Sequence, residues 1–203
     1  CICFVGSLDG THVVTVEHLS PANGPLHPVQ QAMVDLHGSQ CGFCTPGIVM
    51  SLYGLWIQRP EPTTAETERA LQGNLCRCTG YAPIVRAAKA ISTYGSADRD
   101  PLNAEREAIK ARLVALRDGK RVEVGAGRDR LIVPASVDDL AEVYQAEPGA
   151  TIVAGATDVG LWVTKFMRDI GPVIFVGHLD ELHRIEEFGG AIRLGAGVSY
   201  TAA

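Results

Sequence analysis

The sequence predicts a chain of more than one domain, in which an all-α module of four helices precedes the start of an α+β domain. Three observations support this fold class. Apolar residues recur at helical spacing up to about residue 95. A polar, proline-containing segment follows at residues 96–103. Beyond it, short β-branched runs alternate with an amphipathic segment, which is typical of α+β structure.

The composition excludes several classes of protein. Of the 203 residues, 46% are hydrophobic and 20% are charged, so the chain can build cores and is not disordered. No apolar run approaches the roughly 20 residues of a membrane helix. The net charge of −5 offers no basic surface for nucleic acid. We therefore expect neither a membrane nor a nucleic-acid partner. Because the chain starts at Cys1 and ends just after a strand-like run, we also expect a piece of a longer polypeptide.

Each predicted element follows from a local pattern. Residues 13–16 are β-branched and predict a short strand. Thr45 is the predicted N-cap of the second helix, with Pro46 at its first helical position. The predicted helices of the first module span residues 27–37, 45–57, 64–71 and 82–94. A connecting helix at 105–116 and a later helix at 137–145 follow, with strands at 131–133, 150–153, 173–176 and 191–194.

The placement of the six cysteines is the most informative feature. Cys41 and Cys44 form a C-x-x-C, Cys76 and Cys78 form a C-x-C, and no cysteine follows. Such short spacings let one turn aim two sulfurs at one point, which favours a four-thiolate metal site. The alternatives are a strained disulfide within C-x-C and four inert buried thiols. Spacing alone does not choose between zinc and iron–sulfur. Since Cys44 precedes a helix, we expect its thiolate to be favoured.

A small-residue loop follows the strand predicted at 150–153. Residues 155–160 read Gly-Ala-Thr-Asp-Val-Gly, which is neither a Walker loop nor the G-x-G-x-x-G fingerprint. Its backbone amides and the Thr157 hydroxyl suit phosphate oxygens, whereas the alternative is an ordinary turn between strands. Further along, His178 and His183 suggest a metal pair, although surface or capping histidines are commoner.

Two long motifs identify a family. Residues 38–47 (GSQCGFCTPG) and 73–81 (GNLCRCTGY) closely resemble the second [2Fe–2S] domain of the xanthine dehydrogenase and aldehyde oxidase family of molybdenum hydroxylases. Residues 26–33 and 152–165 resemble the bacterial xanthine dehydrogenase small subunit, which carries iron–sulfur clusters and FAD. The resemblance covers nearly the whole chain and is least specific at 96–124. The chain departs from the family's pattern in its first residues. Only the end of a plant-type ferredoxin sequence is present, so no complete first cluster is expected.

The resemblance implies a role for each motif residue. Cys41, Cys44, Cys76 and Cys78 would ligate the molybdenum-proximal [2Fe–2S] cluster. Gln40 would hydrogen-bond the pterin of a molybdopterin-binding partner subunit, and Cys1 would be the fourth ligand of the incomplete first cluster, with Cys3 as an extra thiol. The FAD pyrophosphate loop would comprise Ile152, Val153, Ala154, Gly155, Ala156, Thr157, Asp158 and Val159. The family commonly has Asn or Gly where this chain has Ala156.

The resemblance also implies the domain order and the function. Residues 1–20 would end a plant-type ferredoxin domain, 21–95 form the all-α [2Fe–2S]-binding domain, 96–124 a linker, and 125–203 the start of an FAD-binding domain of the molybdopterin dehydrogenase type. Electrons would pass from molybdenum through the clusters to FAD and NAD as hypoxanthine or xanthine is hydroxylated in purine catabolism, in a cytoplasmic hetero-oligomer. The alternatives are an aldehyde or CO dehydrogenase part and a zinc-stabilised interaction module. No residue here is predicted to be a catalytic acid, base or nucleophile.

Overall fold

A computed structural model describes residues 3–200 and 202–203 of the chain. Cys1 lies outside the described residues, and its role as a ligand stays a prediction. The chain forms two compact units: Val13–Arg112 is one, and the residues up to His12 join Leu113–Ala203 in the other. Within the described ranges, no helix has both the length and the apolar character needed to cross a membrane. Each unit has its own core.

The first unit is helical, as its sequence predicts. Helices α1 and α3 each pack against both α2 and α4. The helices are α1 (Pro28–Asp35), α2 (Thr45–Gln58), α3 (Thr64–Ala70), α4 (Ala82–Ala90), α5 (Pro101–Ala104) and α6 (Arg106–Leu116), and the boundary between the units falls within α6. The fully buried side chains include Val29, Ile48, Leu52, Trp56, Ile84 and Ile91. The predicted all-α module is therefore confirmed.

The helix starts show how local chemistry fixes this arrangement. His27 caps α1: its Nδ1 accepts from the Val29 N–H at 3.3 Å, and the Gln30 side chain accepts from the His27 N–H at 3.0 Å. At α2 the predicted cap was wrong. Cys44 occupies the N-cap position and Thr45 is already helical, because the first helical bond runs from the Ile48 N–H to the Cys44 carbonyl.

Two short segments of the first unit lie outside α1 to α4. The strand predicted at 13–16 is absent from the described structure: Val16–Leu19 forms a 3-10 turn, and no described strand lies beside it to supply hydrogen bonds. The start of the predicted linker packs on the helices, because Ala97 and Asp100 are buried. Asp100 accepts hydrogen bonds from Tyr53 Oη at 2.8 Å and from the Leu102 N–H at 2.9 Å.

The second unit is α+β, as its sequence predicts. Its main sheet has the order β1-β2-β4-β3, in which β4 is parallel to β2 and β3, and β1 is antiparallel to β2. A separate antiparallel hairpin joins β5 to β6. The strands are β1 (Val122–Val124), β2 (Leu131–Val133), β3 (Thr151–Val153), β4 (Val173–Phe175), β5 (Ile185–Phe188) and β6 (Ala191–Leu194); the helices are α7 (Val137–Ala146) and α8 (Val159–Thr164).

The register of β3 and β4 positions the glycine loop. Val153 lies opposite Phe175, and the Val176 N–H donates to the Val153 carbonyl at 2.9 Å. The carboxyl ends of neighbouring parallel strands reach the same edge of a sheet. The loop after β3 and residues 176–179 after β4 therefore emerge side by side. Val153, Phe175 and Ala156 are buried in one cluster beneath this edge.

Candidate functional site

Four free thiols meet in the helical unit, on the two loops that lead into α2 and α4. The Cys78 thiol donates to Cys41 Sγ at 3.4 Å, and Cys44 and Cys76 lie close enough for each sulfur to shift the pKa of the other. Each pair thus takes one cysteine from each motif. Among residues 3–200 and 202–203, no three His, Cys, Asp or Glu side chains are grouped to hold a single metal ion. The sulfurs lie as two pairs.

Backbone geometry brings the two loops together. Gly42, between the first two cysteines, has φ +83°, and Tyr81, just after the second pair, has φ +67°. The Tyr81 hydroxyl accepts from the Cys76 N–H at 2.9 Å. Asn74 Nδ2 donates to Ser51 Oγ at 2.7 Å, which ties the C-x-C loop to α2. A Cβ on Gly47 would lie 2.9 Å from Asn74 Oδ1, so a larger residue here would displace the Asn74 side chain.

The four thiols differ in their electrostatics. Hydrogen bonding to Thr79, whose Oγ1 lies 3.1 Å from the sulfur, lowers the pKa of Cys76 to about 7. The Phe43 N–H, and then the Cys78 thiol, lower the pKa of Cys41. By contrast, burial and then the bond to Cys76 raise the pKa of Cys44, against the expectation from its place before α2. Here burial outweighs the helix dipole.

The arrangement fits a binuclear cluster. A [2Fe–2S] cluster takes four cysteine thiolates, two on each iron. Two pairs of free thiols, each formed from both motifs, supply this donor set. Cys41 and Cys78 are exposed whereas Cys76 is 7% exposed, so one pair faces the surface and the other lies towards the core.

The surface around the thiols carries Gln40, which the sequence analysis singled out, and two exposed apolar side chains, which it did not. Gln40 is exposed beside Cys41. Phe43 and Leu75 are 95% and 85% exposed. In the sequence, Phe43 lies inside the C-x-x-C motif and Leu75 directly precedes the C-x-C motif, and these positions could have drawn attention to both residues.

The glycine loop presents a partly open surface at the edge of the main sheet. Ala156 has φ +70° and is 8% exposed, and its carbonyl accepts from the Gly160 N–H at 2.7 Å. Gly155 and Thr157 are exposed, and a Cβ built on Gly155 would meet nothing within 4 Å. Of the other predicted FAD-binding residues, Ile152 and the buried Val153 lie in β3, Ala154 and Asp158 lie on the loop, and Val159 begins α8.

Comparison with known proteins gives matches to both units. A [2Fe–2S] binding domain family matches residues 15–89, and an FAD binding domain family of molybdopterin dehydrogenases matches residues 122–203. Aldehyde oxidase 1 of Rattus norvegicus is 34% identical over 98% of this chain, which spans 18% of that protein. Xanthine dehydrogenase/oxidase of Mus musculus is 35% identical over 86% of the chain and 15% of its own length.

A solved structure also matches part of the chain. Quinoline 2-oxidoreductase from Pseudomonas putida 86 is 35% identical, with a TM-score of 0.35, over 48% of this chain and 52% of that one. The chain spans less than a fifth of the curated relatives described above. It contains the [2Fe–2S] binding domain and the FAD binding domain of molybdopterin dehydrogenases, and it belongs with the xanthine dehydrogenases and aldehyde oxidases as a homologue of part of those proteins.

Proposed function

We propose that this chain is the electron-transfer part of a xanthine dehydrogenase. The ligands of its one [2Fe–2S] cluster would be Cys41, Cys44, Cys76 and Cys78. The observation that carries this proposal is the pairing of the four thiols across the two motifs. Bound there, the cluster would accept and release one electron at a time. The chain itself supplies the thiolates, the loops that fix their spacing and the hydroxyl of Thr79 beside Cys76.

For the second unit, we infer that the loop 152–159 holds the FAD pyrophosphate. The match to an FAD binding domain over residues 122–203 supports this. So does the open face of the loop, because Gly155 has no neighbour that a ligand would need to displace. Val153 and Ala156 are buried and would contribute backbone groups, whereas Thr157 is exposed and would offer its hydroxyl.

We further propose that electrons enter from a molybdopterin-binding partner and leave from FAD to NAD, in a cytoplasmic hetero-oligomer that acts in purine catabolism. The mouse xanthine dehydrogenase/oxidase supports a purine substrate. The rat aldehyde oxidase is as similar to this chain and supports an aldehyde substrate as the second candidate. The substrate itself would be bound by residues of the partner, since nothing in this chain is proposed to touch it.

Anaerobic reduction of the assembled enzyme tests this function. We expect xanthine to bleach the iron–sulfur and flavin absorbance, and NAD to restore it. Reduction by an aldehyde but not by xanthine would favour the second candidate. If neither substrate reduces the flavin in an enzyme that contains molybdopterin, the electron-transfer proposal is wrong.

Gln40 provides a prediction for coupling to the partner. Gln40→Ala should leave the cluster spectrum unchanged but slow flavin reduction by substrate about tenfold, since one lost hydrogen bond of about 1.4 kcal/mol has that effect on a rate. The reason is that Gln40 is exposed beside Cys41, where we propose that it binds the pterin. Stopped-flow absorbance measures the rate. The control is Gln58→Ala, at the exposed end of α2, and an equal rate in both variants would make Gln40 merely structural.

Thr79 provides a prediction for the cluster itself. A hydrogen bond from a hydroxyl to a ligand sulfur stabilises the reduced, more negative state of the cluster. Because Thr79 Oγ1 lies 3.1 Å from Cys76 Sγ, Thr79→Val should lower the midpoint potential by roughly 20 to 60 mV, the equivalent of one hydrogen bond. Thr79→Ser keeps the hydroxyl and should keep the potential. A redox titration followed by electron paramagnetic resonance measures both variants, and equal potentials would remove this role from Thr79.

A further inference from the structure

His178 has an unused hydrogen-bonding atom at the edge of the sheet that carries the glycine loop. Its Nε2 is buried and has no hydrogen-bond partner among the described residues. A buried polar atom without a partner costs free energy of about 1 to 3 kcal/mol, so native structures seldom keep one unless a water or ligand satisfies it. Nothing else in the proposed function uses this histidine.

The sheet register places His178 beside the loop. Val153 lies opposite Phe175 on the parallel strands β3 and β4, and their pairing continues to the bond between the Val176 N–H and the Val153 carbonyl. His178 follows Val176 by two residues and Ala156 follows Val153 by three, so both lie on segments that leave their strands at the same edge of the sheet. The His178 ring stands edge-on to Phe175, with centroids 5.0 Å apart, and Phe175 shares a buried cluster with Ala156.

We propose that His178 is a second FAD-positioning residue, whose imidazole N–H donates to the pyrophosphate. This inference rests on the proposed FAD site at 152–159. The residue as a whole is only half-buried, and the proposed contact requires its ring to turn about the side-chain bonds so that Nε2 reaches the sheet edge. Binding of a phosphate oxygen then supplies the partner that the protein does not, and the gain favours the rotated ring.

Three variants of the assembled enzyme test the proposal after FAD has been removed. We expect His178→Leu to raise the Kd of FAD about tenfold, the equivalent of one hydrogen bond. His178→Gln keeps an N–H donor and should recover most of the affinity. His183→Leu, a change at an exposed histidine five residues along, should bind FAD like the parent. Quenching of flavin fluorescence during titration with FAD gives each Kd.

Thermal unfolding separates a ligand contact from a structural role. Without FAD, His178→Leu should unfold at the parent's temperature or above it, because an unpaired buried atom has been removed. With FAD, its rise in Tm should be smaller than the parent's. An unchanged Kd in His178→Leu, or a Tm lowered equally with and without FAD, would overturn the inference. A parent enzyme that does not bind FAD, or a Gly155→Val variant of unchanged affinity, would instead overturn the proposed FAD site on which it rests.

Discussion

Replacing Cys44 by serine should remove the cluster and, with it, much of the stability of the helical unit. Cys44 lies close to Cys76 and at the start of α2, so its loss leaves Cys76 without its partner thiolate and removes a link between the two loops. Metal sites in small domains contribute to the folding free energy, and the loss should be on the order of several kcal/mol. Visible absorbance and thermal unfolding measured by circular dichroism give the two results together.

The matched control for this variant is Cys3→Ser. Cys3 is an exposed free thiol of the other unit, with its sulfur 3.0 Å from Ser7 Oγ. Its replacement should leave both the absorbance and the unfolding of the helical unit unchanged. If Cys44→Ser kept the full visible spectrum, Cys44 would not be a ligand, and the four thiols would have to be read as a structural cluster.

Gly155→Val should release FAD while the iron–sulfur absorbance persists. We expect the loss of FAD to come from a clash between the valine and the ligand rather than from a folding defect, because a Cβ at this position meets nothing within 4 Å in the protein. Side chains forced into occupied space cost about 1 to 3 kcal/mol, so the affinity should fall by roughly ten- to a hundredfold. Thr157→Ala should lose about 1 to 3 kcal/mol, the range for one hydrogen bond to a charged acceptor. Flavin content and the Kd of FAD measure both effects.

The neighbouring residue supplies the control for Gly155. Ala156 holds φ +70°, a conformation that costs an L-residue about 1 kcal/mol and glycine almost nothing. Ala156→Gly should therefore keep FAD and stabilise the second unit by about that amount. A Gly155→Val enzyme with its full complement of FAD would make the loop an ordinary turn between β3 and α8.

The sequence predicted the elements whose signals are local. The four helices of the first unit follow from apolar spacing, and β2, β3, β4 and β6 follow from short β-branched runs. β1 and β5 were missed, because Val122–Val124 and Ile185–Phe188 place glutamates inside the strand and are held by their antiparallel partners. Residues 13–16 show the reverse case, since β-branched residues form no strand without a neighbour to bond to.

In the candidate site, too, the sequence predicted the features with a local pattern and missed those that depend on the fold. The cysteine spacing predicted four thiolates, but it did not indicate which sulfurs pair, because that depends on how the loops before α2 and α4 fold over one another. Nor did it predict that burial would outweigh the helix start at Cys44. The bond between His27 Nε2 and Asp100 Oδ2, 2.9 Å long, joins residues 73 positions apart and leaves no local pattern.

The most direct test of the account is the metal content of the reconstituted chain. Iron, acid-labile sulfide and zinc are measured together with the visible spectrum after anaerobic reconstitution. We expect about two irons and about two sulfides per chain, with charge-transfer bands that bleach on reduction, since one [2Fe–2S] cluster binds between the two thiol pairs. A colourless protein that holds one zinc per chain would contradict the account and leave the four cysteines as a structural zinc site.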